Sequence, residues 1–331
     1  MGGNHNRDLR AMREGLRAPV PLPPATWPPA APRYKARMPS TLAEKLGHAP
    51  DARIAIVHAD DIGMCHAANE GAFETLTNGP ATCGSVMVPC PWFAEAARRA
   101  RQSPGLDLGV HLTLNSEWEI YRWGPVLGRG EVPSLCAPDG ALWRTTLETA
   151  AHARPDEVRA ELHAQIRTAL EAGIDITHLD AHMGTVFLPQ FAPIYAELAR
   201  EFELPVFLIR PELGDVGDRP LELQPIVDAV EGLVADGWPL LDGFCADSLH
   251  FAAGNGLEHN LARLRRLAVG VSYLICHPAR GSAEIEVMTE EWHCREFERT
   301  FYGGEAGRAA LARENIVTVG MRALRDLLRG R

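Results

Sequence analysis

Apolar and polar positions alternate along this chain in short blocks, and from about residue 53 the blocks follow a regular order. Ile54-Ala55-Ile56-Val57 is a β-rich apolar run leading into His58-Ala59-Asp60-Asp61. A helical pattern from about Ala67 to Asn78 follows, with Gly79 as its stop. Residues 85–88 then predict a strand, 93–102 a helix and 106–114 a third strand. After an irregular stretch, residues 155–172 form a strongly patterned helix with Pro155 in its first turn and Gly173 at its end. A strand over 176–182, a helix over 190–202 and a strand over 206–209 continue the alternation. Helices near 223–234 and 257–267 accompany strand candidates at 239–244 and 271–276, and a short run at 316–319 precedes a closing helix over 321–328.

Strands regularly separated by helices are joined by crossovers and therefore pair in parallel, which predicts an α/β fold. Seven or eight such units point to a single (β/α) barrel of TIM-like type. A length of 331 residues suits one such barrel or two smaller domains. The alternation favours one barrel spanning residues 41–331. Ahead of it, residues 18–39 are too rich in proline for a helix and favour extended backbone. Residues 1–40 are therefore expected to form a proline-rich N-terminal arm that wraps the body, meets another subunit or stays a loose tail.

Composition narrows the class. An apolar fraction of 46% and a charged fraction of 23% are ordinary for a globular protein. The net charge of -10 argues against nucleic acid or an anionic membrane surface, because both require a basic field. A small neutral or sugar-like molecule fits better. Seven cysteines without a CxxC read as reduced thiols in a cytoplasmic protein. No apolar signal region opens the chain, and no stretch approaches the ~18 consecutive apolar residues of a membrane span. Homo-oligomerisation stays open.

The chemistry gathers at predicted strand ends. His178, Asp180 and His182 alternate, so in an extended strand they share one face. Two imidazoles and a carboxylate are what a catalytic divalent ion uses when one position is kept for water; the bland alternative has His178 capping the strand and Asp180 bonding a loop. The Asp60-Asp61 pair follows a buried strand and needs a cation or hydrogen bonds to offset its burial. One of the two would ligate an ion and the other act as general base, unless one simply caps the next helix. His111 is a lone imidazole in an apolar strand, a core histidine when taken alone and the third ligand when taken with Asp61 and His182. His277 ends another strand as a candidate general acid, a fourth ligand or a plain terminus. Arg210 would bind a substrate oxygen or hold an aspartate in place. Asp60, Asp61, His111, His182, Arg210, Asp242 and His277 all fall at or near C-terminal strand ends, the active-site face of a parallel barrel. The segment Asn115-Ser116-Glu117-Trp118, continuing to Pro125, offers rings and polar groups for a sugar or is anchored by its own tryptophans.

The motifs Val57-His58-Ala59-Asp60-Asp61-Ile62-Gly63, Gly109-Val110-His111-Leu112-Thr113-Leu114, Thr177-His178-Leu179-Asp180-Ala181-His182 and Cys276-His277-Pro278-Ala279 together resemble the YdjC-like carbohydrate deacetylase family. The resemblance runs in order from about residue 42 to the C-terminus. It implies a variant (β/α) barrel that removes an N-acetyl group from an amino sugar or glycosylated metabolite by attack of metal-bound water. It also implies Asp61, His111 and His182 as metal ligands, Asp60 as base and His277 as acid or oxyanion helper. Glu117, Trp118, Arg210 and His178 are the candidate substrate-binding residues. The ligand set calls for one divalent ion, Zn²⁺ first, with Mg²⁺, Co²⁺ or Ni²⁺ as alternatives. Rival readings are a metal-dependent barrel isomerase, a phosphoester hydrolase and a non-catalytic sugar-binding protein. Against phosphate recognition, the only lysines are Lys35 and Lys45, both upstream of the first barrel strand.

Overall fold

The computed structural model describes residues 41–207 and 224–330. The proline-rich arm, residues 208–209 of the strand expected at 206–209, and Arg210 lie outside the described residues. Among these residues seven strands form one parallel sheet: β1 Arg53–Ile62, β2 Cys83–Val86, β3 Leu108–Leu112, β4 Ile176–Ala181, β5 Gly243–Cys245, β6 Gly270–Cys276 and β7 Ile316–Thr318. Their spatial order is β4-β3-β2-β1-β6-β5, with β7 paired to the first residues of β1. Val206 bridges to Leu179 in parallel and so continues the sheet beyond β4. Among the described residues no ladder joins that end to β5, but the rings of Phe207 and Phe244 pack across the gap at 4.5 Å. The fold is thus the expected barrel-like α/β architecture.

The two faces of β1 show how the sequence fills it. Ala55, Val57 and Ala59 pack in the core shared with the helices, whereas Ile54 and Ile56 pack inward with Cys83, Leu241, Val271 and Tyr273. That inner layer is apolar near the strand starts and is closed by Met321 and Leu324 of the final helix. Further along the same inward faces stand His58, Ser85, His111, His178 and Asp180, all buried. Strand period thus sorts one end of the interior as packing and the other as chemistry.

The outer helices follow their sequence signals. Pro155–Glu171 buries Val158, Leu162, Ile166 and Ala169 along one stripe, and the turn after it uses Gly173 at φ 83°. The helices Phe93–Gln102 and Met321–Leu328 have the expected bounds. No helix among the described residues is long and apolar enough to cross a membrane.

Two expectations need correction. The strand expected at 239–244 is Gly243–Cys245, so Asp242 precedes it and lies at the opposite end from Asp60, Asp61, His111, His182 and His277. There its carboxylate accepts the Val271 backbone N–H at 2.9 Å, tying the starts of β5 and β6 together. Helices at Ala283–Met288, Trp292–Tyr302 and Glu305–Arg313 were not anticipated. The middle one turns charged Arg295 and Glu298 inward beside Cys294, Phe301 and Tyr302, and a buried face with charges on it escapes a search for apolar periodicity.

Candidate metal centre and its surroundings

Adjacent residues of a regular strand point to opposite faces, so Asp60 and Asp61 could not both enter the interior of an ideal β1. The register between β1 and β2 shifts between Ala59 and Ile62, and Asp61 takes a left-handed φ of 62°. This irregularity aims both carboxylates at the mouth, and Gly63 at φ 94° completes the turn. A non-glycine residue held in that region is backbone strain of the kind that accumulates at functional sites. β4 ends at Ala181, and a second left-handed pair, Met183 and Gly184, places His182 beyond the strand.

Asp61, His111 and His182 come together as one buried group whose candidate ligand atoms lie within 4.8 Å of one another. Asp61 Oδ1 is 3.5 Å from His111 Nε2 and 3.4 Å from His182 Nδ1. The same oxygen is buried without a hydrogen bond, while Oδ2 accepts from Arg295 Nη1 at 2.8 Å. An orphaned carboxylate oxygen between two imidazole nitrogens is what a cation between them would satisfy, and the donor set suits a divalent ion. The outer nitrogens of both rings are engaged. His111 Nδ1 is 2.9 Å from Asp180 Oδ2 and 2.8 Å from Ser85 Oγ, and His182 Nε2 is 3.0 Å from Glu117 Oε2. Such contacts fix ring orientation and raise the basicity of a ligand.

The local charges balance closely. Burial alone would push the Asp61 carboxyl up, but Arg295, His111 and His182 together hold it well below the usual carboxylate range. Burial likewise works against a charged His182, yet Glu117 and Asp61 push its pKa up to about 9. His111 is raised well above its ordinary value by Asp180, Asp61 and Asp60 against the same burial.

Asp60 lies beside this group. Its Oδ1 is 2.5 Å from His58 Nδ1, leaving Oδ2 to face His277 Nε2 at 3.7 Å and His111 Nε2 at 3.9 Å. Burial, reinforced by Arg295 and His111, pushes the His277 ring down to about 4. Among the described residues two other buried groups have ligand atoms as close, His58–Cys83–His178 and His58–Asp60–Asp180. His58 belongs to both and has no nitrogen to spare, because Nε2 is 2.8 Å from His178 Nε2 and Nδ1 meets Asp60.

The expected substrate contacts fare unevenly. His178 does not reach the mouth: it is fully buried one layer down, with Nδ1 2.9 Å from Thr177 Oγ1 and Nε2 on His58. The cause is strand period, which puts it two residues deeper than Asp180, and Gly109 opposite leaves the room for its ring. Glu117 meets His182, and Trp118 lies under the Arg295 guanidinium, 5.9 Å from the ring centroid. Trp118, Tyr121 and Trp123 pack on one another at centroid distances of 5.6 to 6.3 Å, so the aromatic loop is anchored by its own rings. A cavity of about 510 Å³ opens beside Asp60 and His277, with Met183, Phe187, Phe207 and Phe244 among its walls. Arg295, Glu298, Ser248 and Ser85 were not foreseen; each is distant in sequence from the motifs it supports.

Comparison with known proteins gives a consistent result. The family described as YdjC-like protein matches residues 54–313. A carbohydrate deacetylase of Thermus thermophilus is 34% identical over 87% of this chain and 99% of its own length. A chitooligosaccharide deacetylase of Yersinia enterocolitica is 30% identical over 50% of this chain and 63% of its own. Among solved structures, a putative cellobiose-phosphate cleavage protein from Enterococcus faecalis shares the fold with a TM-score of 0.66, at 23% identity over 82% of this chain and 99% of that one.

Proposed function

Because this chain belongs to the YdjC-like protein family, we propose that it is a metal-dependent carbohydrate deacetylase, hydrolysing the N-acetyl amide of an amino sugar or glycosylated metabolite. The observation that carries the reading is Asp61 Oδ1, buried without a hydrogen bond between His111 and His182 and adjoined by Asp60 and His277. The names of the relatives support the substrate class. Residues 41–331 would make up the catalytic domain.

Asp61, His111 and His182 would hold one divalent ion, Zn²⁺ first by ligand type. Such an ion lowers the pKa of water and polarises an amide carbonyl. Asp60 is the general base: His58 occupies Oδ1, so Oδ2 is the atom free to take a proton from the attacking water. His277 Nε2, 3.7 Å from that oxygen, takes up the proton Asp60 has removed from water and passes it to the departing amine nitrogen. Arg295 holds Asp61 through Oδ2 and so keeps Oδ1 turned to the two histidines. Glu117 holds His182 in its ligating orientation, and the cavity next to Asp60 and His277 receives the substrate.

The test is to incubate ion-loaded protein with a panel of N-acetylated mono- and oligosaccharides and glycosylated metabolites, following acetate and free amine together. Equal release of both from at least one member is expected. Absence of both across the panel, with one ion bound per chain, would overturn the deacetylase reading.

A further inference from the structure

Behind His277 lies a second buried charged group, separate from the candidate ion site. Glu298, on the helix Trp292–Tyr302, and Arg263, on the helix Gly256–Arg266, are both fully buried and meet through Oε1 and Nη1 at 2.8 Å. Glu298 Oε2 accepts the His277 backbone N–H at 2.7 Å and the Ser248 hydroxyl at 2.6 Å. Ser248 Oγ is in turn 2.8 Å from His277 Nδ1. Arg263 also binds the Ile275 carbonyl and Asn260 Oδ1, so the pair is held from several sides, and Glu298 Oε2 is the atom it leaves to His277 and Ser248.

Counting protons gives the group a direction. Burial holds the Glu298 carboxyl above its ordinary value even against Arg263, Ser248 and the His277 N–H; the geometry, three donors converging on one carboxylate, is what suits the ionised, acceptor-only form. Serine has one hydroxyl proton, and it is donated to Glu298. The serine oxygen can then only accept from His277, so Nδ1 carries a proton. The nitrogen left to lose or gain one is Nε2, which faces Asp60 Oδ2.

We propose that Glu298, acting through Ser248, is a positioning residue that fixes the tautomer of His277 so that Nε2 is the atom exchanging a proton with substrate. Arg263 holds the carboxylate in place from the other side. This rests on the deacetylase reading for its catalytic consequence, but not for its geometry.

Ser248→Ala is the informative variant, because it removes the ring contact and leaves Glu298 on both Arg263 and the His277 backbone. Its kcat should fall roughly 10- to 100-fold, the scale of impaired general acid–base catalysis, with KM changed less than about twofold. Ser248→Thr, which keeps the hydroxyl, should recover most of the loss. In the full-length protein labelled with ¹⁵N-histidine, the His277 ring, assigned by its disappearance in His277→Gln, should report an Nδ1–H tautomer. In Ser248→Ala it should shift toward Nε2–H. An unchanged tautomer, an unchanged kcat, or Ser248→Thr as impaired as Ser248→Ala would overturn the proposal. The tautomer is read without turnover, so a shifted signal in a protein releasing no acetate supports the relay and refutes the deacetylase reading. Full acetate release with an unshifted signal overturns the relay alone.

Discussion

A carboxylate can serve two partners at once, and Asp61 is arranged that way, with Oδ2 on Arg295 and Oδ1 turned to His111 and His182. Glu117 does a quieter job one bond further out. Glu117→Gln should weaken affinity for the ion about 10- to 100-fold, the usual consequence of losing a partner that orients a ligand. Competition with a chromogenic chelator measures it, and an unchanged affinity would remove Glu117 from the site. His277 makes a pH prediction. Its folded pKa is pushed down to about 4, whereas an unfolded histidine titrates near ~6.5. Between those values the unfolded chain binds a proton that the folded ring does not, so this residue's contribution to stability is lost as pH falls through that window. The loss is at most about 3 kcal/mol, and less in practice because the side chain is 17% exposed. Urea unfolding should therefore show His277→Gln gaining on wild type as pH drops from roughly 7 to 4.5; a gap independent of pH would contradict the shift.

At the scale of elements, close approach and buried charge set the demands. A Cβ at Gly109 would stand 2.6 Å from the His178 ring, so Gly109→Ala should cost about 1–3 kcal/mol in chemical denaturation through overpacking. Arg263→Ala strands Glu298 without its guanidinium and should cost about 3–5 kcal/mol. A loss below 1 kcal/mol, read from the same curves as on the order of a small surface change, would show that the pair is not structurally needed. The alternation of strands and helices was legible in the chain because parallel strands buried on both faces read as apolar runs, as at Ile54–Val57. His111, His182, Asp60, Asp61 and His277 were legible as a set because His111 interrupts such a run and each of the others follows or ends one. What escaped has physical reasons. The bulge that turns Asp60 and Asp61 the same way depends on the register with β2, and β5 is too short and too exposed to mark its own start. Arg295 and Glu298 sit on a helix face that is buried and charged together, a pattern that looks solvent-exposed in sequence.

Over the whole molecule, the interior is divided along the barrel axis. Ile54, Ile56, Val271 and Tyr273 pack one end, and the buried carboxylates and imidazoles hold the other, with His58 stacked on Tyr273 at 4.7 Å where the two layers meet. Stability and chemistry are thereby assigned to different layers of the same strands, the arrangement that lets a parallel barrel carry a strained, charged mouth on an apolar base. The central claim is that Asp61, His111 and His182 hold the ion on which sugar deacetylation depends. The most direct measurement strips the protein of metal and follows acetate release from a responsive N-acetylated sugar as Zn²⁺ is titrated in, for wild type and Asp61→Asn in parallel. The account predicts negligible release from stripped wild type, a rise to a plateau at one ion per chain, and no comparable recovery in Asp61→Asn. Full release from stripped protein, or equal recovery in Asp61→Asn, would contradict it.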